Sequence, residues 1–214
     1  MRMRPHPVRI LLASPMVTHT LSAGLKPRVL LTFDDGPTAE VTDGVLERLG
    51  AAGARAAFFV IGSKVEKNPD LLAKVIAAGH SVGNHSHTHP SGKWPAYSPY
   101  LNDLRQCNEA VKKATGNNPS IFRAPEGRLH PASILGSRRL GLQHILWSLD
   151  SNDWTCQNAD DARQAAQRVL DEVRGGDIIL LHEYAHWTWD LLDVLLPGLQ
   201  QRGFDLSSGL DDLS

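Results

Sequence analysis

The sequence predicts an α/β fold, a distorted or incomplete (β/α) barrel of about seven parallel strands in a single domain. Three observations predict it. Short apolar runs alternate with amphipathic segments, as in successive βαβ units. Nearly every cluster of chemically capable polar residues follows directly on one of those runs. With 214 residues the chain is long enough for one large α/β domain with an ample core, and no repeat, low-complexity tract or linker divides it.

The strands are read as RVLLTF (Arg28 to Phe33), AAFFVIG (Ala56 to Gly62), HSVGN (His80 to Asn84), SIF, HILWSL (His144 to Leu149) and DIILL (Asp177 to Leu181), with FDLSSGL as a last weak strand. A first helix is expected around Val41 to Leu49. Pro69 opens another, with Leu71, Leu72, Val75 and Ile76 on one face. Tyr100 to Thr115 reads as a helix stopped by Gly116 and Pro119. The clearest helix is Asp160 to Val173, where Ala162, Ala165, Ala166, Val169, Leu170 and Val173 recur at helical spacing. A final helix runs from about Thr188 to Gln201.

Composition sets the bounds. Apolar residues make up 42% and charged residues 21%, as expected of a globular protein, and 23 acids against 22 bases give a formal charge of −1. That balance gives no reason to expect a nucleic-acid partner. No apolar run reaches the roughly 18 residues of a membrane span. The two cysteines, Cys107 and Cys156, make no disulfide framework or thiolate metal site and are read as buried thiols. Residues 1–26 form an N-terminal extension of unclear role before the domain of residues 27–214. The extension has a basic start and a short apolar patch interrupted by Pro15, which superficially resembles a signal peptide. A cytoplasmic location is favoured, with secretion the alternative, and a monomer is expected.

The polar clusters sit where such a barrel does chemistry. Asp34-Asp35-Gly36-Pro37 follows RVLLTF, and His85, His87 and His89 follow HSVGN. Arg123-Ala124-Pro125-Glu126-Gly127 follows SIF, Asp150 to Trp154 follows HILWSL, and His182-Glu183 follows DIILL. The carboxyl ends of the strands meet on one face, where active sites lie. Each cluster has a plain structural alternative: Asp-Asp-Gly-Pro makes turns, Asp150 and Asp153 suit helix caps, Arg123 suits a buried ion pair, His182 suits a core position, and the alternate histidines suit an accident or a polar turn. Five such coincidences at equivalent strand ends are improbable.

Together these motifs resemble the polysaccharide deacetylases of carbohydrate esterase family 4, with the NodB-homology fold, over about Pro27 to Leu213. TFDDGP (Thr32 to Pro37), HSHTH (His85 to His89), RAPEG (Arg123 to Gly127), DSNDW (Asp150 to Trp154) and LLH (Leu180 to His182) stand in the family's order. The resemblance implies a divalent metal ion, zinc by default and cobalt or nickel otherwise, held by Asp35, His85 and His89, with His87 outside the set. It implies Asp34 as general base oriented by Arg123, and His182 as general acid supported by Asp153. The Glu126 backbone N–H would bind the oxyanion, Pro125 and Gly127 beside it would also bind substrate, and Leu180 and Trp154 would wall an acetyl pocket. Glu126 departs from the pattern, since the family carries an aromatic residue there. The implied reaction removes N-acetyl groups from N-acetylglucosamine residues of an acetylated carbohydrate: a chitooligosaccharide, chitin or peptidoglycan. An O-acetyl xylan esterase and a catalytically silent carbohydrate-binding protein are the alternatives. Trp94 and the loop Tyr184 to Trp189 offer aromatic faces for sugar rings, or else seal loops onto the barrel.

Overall fold

The computed structural model describes residues 17–22, 27–91 and 96–213. Residues 1–16, with most of the signal-like segment, and Trp94 lie outside the described residues. The strands are β1 (Val17–Thr18), β2 (Leu30–Gly36), β3 (Ala56–Val60), β4 (Ser81–Asn84), β5 (Ile121–Phe122), β6 (Gln143–Ile145), β7 (Leu149–Asp150) and β8 (Ile178–His182). The helices are α1 (Thr42–Ala51), α2 (Gly62–Lys67), α3 (Pro69–Ala77), α4 (Tyr97–Thr115), α5 (Pro131–Arg139), α6 (Ala159–Glu172) and α7 (Trp187–Gln201). All strand pairs are parallel, in the order β1-β6-β5-β4-β3-β2-β8-β7. The sequence anticipated about seven strands, and the described residues form eight.

The order forces the sheet to curl. β6 and β7 stand six strand steps apart, which in a flat sheet is about 29 Å. Four residue steps from Ile145 to Leu149 span at most about 14 Å. The sheet therefore bends into an incomplete barrel whose seam is Leu146 to Ser148. HILWSL is accordingly two strands and not one: Gln143–Ile145 pairs with β5 and β1, and Leu149–Asp150 pairs with β8. Its apolar letters show no break because both halves are buried. Two further expectations differ. FDLSSGL is no strand, since Ser208–Leu213 is a 3-10 helix and Asp205 makes a single bridge to Arg28. Helices α2 and α5 were not anticipated, being short and weakly periodic.

Alternation along the strands separates two apolar layers. Leu31, Phe33, Ala56, Phe58, Val60, Ile179 and Leu181 face the outer helices. Leu30, Ala57, Phe59, Ile121, Ile145, Ile178 and Leu180 fill the barrel. The same period, continued upward, carries Asp34 on β2, Arg123 beyond β5 and His182 on β8 to the interior. The top of the barrel is thus polar where the bottom is apolar. Cys107 and Cys156 are buried free thiols, as anticipated.

Candidate active site

A cavity of about 510 Å³ opens at the carboxyl ends of the strands, lined by Asp34, Asp35, His85, His89, His182 and seven neighbours. Pleating sends successive side chains to opposite faces, so two adjacent aspartates reach one cavity only if the pleat breaks. It does. Between β2 and β3 the register shifts from Asp34↔Phe59 to Gly36↔Val60, leaving Asp35 as the extra residue of a bulge at φ 70°. Bulges re-aim side chains in this way. Lys64 Nζ donates to the Asp35 carbonyl at 2.7 Å and holds the bulged backbone.

The histidine loop is built as firmly. Asn84 accepts from the Ser86 N–H at 2.7 Å, and Asp103 of α4 accepts from the His87 and Thr88 N–H groups and from the Thr88 hydroxyl. Ser86 Oγ accepts from the His89 N–H at 3.0 Å. His85 Nδ1 meets the Arg123 carbonyl at 2.8 Å, which makes it the N–H side of the ring and presents Nε2 to the cavity. Nε2 of His85 and of His89 then lie 3.5 and 3.3 Å from Asp35 Oδ1.

Asp35, His85 and His89 are the one cluster among the described residues suited to a metal ion, with one ligand atom from each within 4.8 Å of the others. Asp35 Oδ1 is buried and has no hydrogen-bond donor among the described residues, as a cation ligand would be. Burial holds the His85 pKa below its ordinary value against the pull of Asp34 and Asp35, which keeps the imidazole neutral for ligation. The donor set fits a divalent ion with open positions. His87 turns away, its Nε2 3.8 Å from Glu66.

Arg123, fully buried, ties the seam to the site. Its Nη1 donates to Asp34 Oδ1 at 2.7 Å and to Thr32 Oγ1 at 2.8 Å. Nε and Nη2 donate to the Ile145 and Leu146 carbonyls, where the strand breaks. The guanidinium lies over the Phe59 ring at 4.1 Å. Removing either partner of such a pair costs about 3–5 kcal/mol, because a buried charge is stranded.

Opposite Asp34, His182 Nδ1 meets Asp153 Oδ1 at 2.7 Å, and Asp153 Oδ2 accepts the His182 N–H at 2.7 Å. Burial opposes the imidazolium, but Asp153, then Asp34 and Asp35, outweigh it and raise the pKa to about 9.

Not every anticipated residue lines the cavity. Arg123 and Asp153 stand behind Asp34 and His182, and Pro125 is buried in its turn. Leu180, Gly127, Glu126 and Trp154 are on the wall. Gly127 has φ 61°, and a Cβ there would meet the Trp147 ring at 2.4 Å. Glu126, at φ 55°, pairs with Arg128 at 2.6 Å while it lines the cavity. The aromatic loop seals more than it lines. Trp189 Nε1 donates to the Val41 carbonyl at 3.0 Å, and Trp187 and Trp189 pack on the outer core. The aromatic faces in the cavity are Trp147, Trp154 and Tyr184. Trp147 carried no signal beyond its place in an apolar run, and Tyr184 was only one ring among several.

Residues 22–145 match the family described as polysaccharide deacetylase, and the chain belongs to that family. The peptidoglycan-N-acetylglucosamine deacetylase of Listeria monocytogenes is 34% identical over 205 residues, 96% of this chain and 42% of the relative. The chain thus spans less than half of that protein. The chitooligosaccharide deacetylase of Sinorhizobium fredii is 34% identical over 196 residues, 85% of this chain and 90% of the relative. Among solved structures, a carbohydrate esterase family 4 pseudoenzyme from Bacillus anthracis superposes with a TM-score of 0.83 at 26% identity, over 94% of this chain and 70% of that one. The family 4 carbohydrate esterase of Streptomyces lividans, in complex with acetate, gives 0.76 at 29% identity, over 85% and 92%.

Proposed function

We propose that this chain is a metal-dependent deacetylase that removes N-acetyl groups from N-acetylglucosamine residues of a chitooligosaccharide, chitin or peptidoglycan. The observation that carries the reading is the split of Asp34 between two partners. Oδ1 is held by Arg123 at 2.7 Å, while Oδ2 faces the trio, 3.6 Å from His85 Nε2. Across the same cavity stands a histidine that stays protonated at neutral pH. Resemblance in fold alone does not separate enzymes from silent relatives, as the pseudoenzyme neighbour makes plain. Here base, acid and candidate ligands face one space.

When bound, a divalent ion, zinc by default and cobalt or nickel otherwise, polarises the acetyl carbonyl and acidifies its water. Asp34 takes the proton of the attacking water at Oδ2, a contribution of roughly 10²–10⁴-fold. Arg123 fixes the other oxygen, so the carboxylate does not rotate. The Gly127 and Arg128 N–H groups are spent inside the turn on the Ala124 and Pro125 carbonyls, which leaves the Glu126 N–H as oxyanion donor. His182 Nε2 gives its proton to the departing amine nitrogen, and Asp153 supports the charge through Nδ1. Leu180 and Trp154 bound the space for the acetyl methyl.

Mass spectrometry of acetate release from chitooligosaccharides, peptidoglycan fragments and acetylated xylan, run in parallel, tests the reading. Loss of acetyl from an N-acetylglucosamine substrate is expected, abolished by a chelator and restored by a divalent ion. His85→Ala and His89→Ala should lose the ion, and His87→Ala should keep it. Release from xylan alone would replace the amidase with an esterase. No release from any substrate would leave a binding protein.

A further inference from the structure

Tyr184 lies outside all five motifs, yet its side chain stacks on one working part of the site and shares a cavity with another. Its ring stacks on His182 with centroids 4.9 Å apart and planes 5° from parallel. Its hydroxyl faces the Asp35 carboxylate in the cavity that both residues line. The ring also forms part of the cavity wall, although the residue is 49% exposed.

The neighbours of Tyr184 fix where it sits. Glu183 is fully buried, with Oε1 accepting from the Thr42 hydroxyl at 2.7 Å and its carbonyl accepting from the Thr38 hydroxyl at 2.7 Å. Thr188 Oγ1 donates to the His182 carbonyl at 3.2 Å, and the Thr188 N–H donates to the Ala185 carbonyl. The backbone on both sides of Tyr184 is therefore pinned, and the parity of β8 (Leu180, His182, Tyr184) sends its ring inward. A half-exposed tyrosine held this way spends its anchoring on orientation and little on burial.

We propose that Tyr184 is a positioning residue of this site: its hydroxyl orients the Asp35 carboxylate for a divalent ion, and its ring shelves the His182 imidazole toward the leaving group. The inference rests on the proposed deacetylase reading for its second half only. The first half concerns ion binding and stands whether or not the protein turns over a substrate. An outer hydrogen bond to a carboxylate ligand fixes which oxygen faces the ion, and losing such a partner costs about 10–100-fold in metal affinity.

Two variants separate the halves. Tyr184→Phe keeps the ring and loses the hydroxyl, whereas Tyr184→Leu loses both. Zinc affinity, measured on purified protein by competition with a chromogenic chelator, should fall about 10–100-fold in both variants. At saturating zinc, Tyr184→Phe should keep its ratio of amide to activated-ester turnover. Tyr184→Leu should lose several-fold more on the amide, whose amine needs the His182 proton, than on the ester. A residue with only a structural role would lower the melting temperature and move neither quantity. Unchanged zinc affinity in Tyr184→Phe overturns the hydroxyl's role, and an unchanged amide-to-ester ratio in Tyr184→Leu overturns the ring's. If the unsubstituted protein releases no acetate while Tyr184→Phe still weakens zinc, the deacetylase reading fails and the hydroxyl's role stands.

Discussion

At the carboxyl ends of the strands and in the loops that leave them, Asp35, Glu40, Ser86, His89, Glu126 and Asn152 all hold a positive φ without being glycine. At the amino ends, the described residues with positive φ are glycines, among them Gly53, Gly79, Gly141 and Gly176. A residue with a Cβ held there costs of order 1–3 kcal/mol, least for Asp, Asn and His. A glycine avoids that cost and ends a helix cleanly. Polar groups divide in a similar way. On the upper side, Asp35 Oδ1, Trp147 Nε1 and Glu183 Oε2 are buried without partners among the described residues. On the lower side, Asp177, Asp205 and Asp212 each accept from two or more donors. The division has exceptions, since Arg28 Nε and His80 Nε2 below also lack partners. One face tolerates strain and unmet charge where a ligand arrives, and the other supplies the stability that makes this tolerable.

The largest expected effect falls on the upper face. Asp34→Asn should bind zinc as before and lose roughly 10²–10⁴-fold in turnover, or about 2.7–5.4 kcal/mol of barrier. Its amide oxygen can still accept from Arg123, so the fold should survive. Steady-state kinetics and zinc analysis on the same sample check this. A variant that unfolds while the folded fraction keeps its turnover would reverse the assignment of the two faces.

Much of this upper face was legible because every polar cluster follows an apolar run, and a parallel barrel collects the ends of all its strands. Asp34, Arg123 and His182 needed only the alternation of their own strands to be placed inside. Other features had no local signature. Adjacent aspartates say nothing of the bulge at Asp35 that lets both face one cavity. All of HILWSL but Ser148 is buried, so its letters hide the seam at Leu146 to Ser148 and the exposure of the Trp147 face to the cavity. Residues 17–22 were assigned no role, yet β1 pairs with β6, the Thr18 carbonyl accepts from the Leu146 N–H, and the Leu21 N–H donates to the Gly176 carbonyl. This strap crosses the seam from β6 to the foot of β8. Two residues of strand are too few to carry a pattern, and their partners lie more than a hundred residues away.

A second prediction sharpens what the upper face costs. Glu183 is buried, and burial raises its pKa from 4.5 to about 7, against the Thr42 hydrogen bond and Lys64. In the unfolded chain it ionises near 4.5, so the folded state binds more protons between the two values. Stability therefore falls as pH rises from about 4.5 to about 7, by about 3 kcal/mol in total. Glu183→Gln removes this loss. Urea midpoints should show the variant more stable by up to about 3 kcal/mol at pH 8 and close to unchanged at pH 4.5. Equal stability at both pH values would mean that the carboxyl is not strained in the fold.

The smallest effect belongs to the lower face, at the end of the strap. Asp212 Oδ2 accepts from the Ser22 N–H at 2.6 Å and the Ser22 hydroxyl at 2.9 Å, and Arg28 Nη2 spans both carboxylate oxygens at 2.7 and 2.9 Å. Arg28 also reaches the Ser208 and Ser22 carbonyls, so one carboxylate joins the strap, the foot of β2 and the last 3-10 helix. Asp212→Ala leaves Arg28 with those carbonyls and some solvent, because the pair is 14% and 17% exposed. The expected loss is about 1–2 kcal/mol, below that of a fully buried pair. In a domain of this size that lowers the melting temperature by about 2–8 °C. Burial works against the Asp212 carboxylate, but Ser22 and Arg28 outweigh it and hold its pKa below the usual value. The contribution is thus present above the unfolded value near 3.8 and is lost as pH falls through the folded one. The gap in melting temperature between variant and parent should accordingly be full at neutral pH and close in strong acid. Turnover at temperatures where both are folded should not change. A drop in turnover there, with zinc still bound, would show that the foot of the barrel sets the geometry of its rim, and the separation of the two faces would fail.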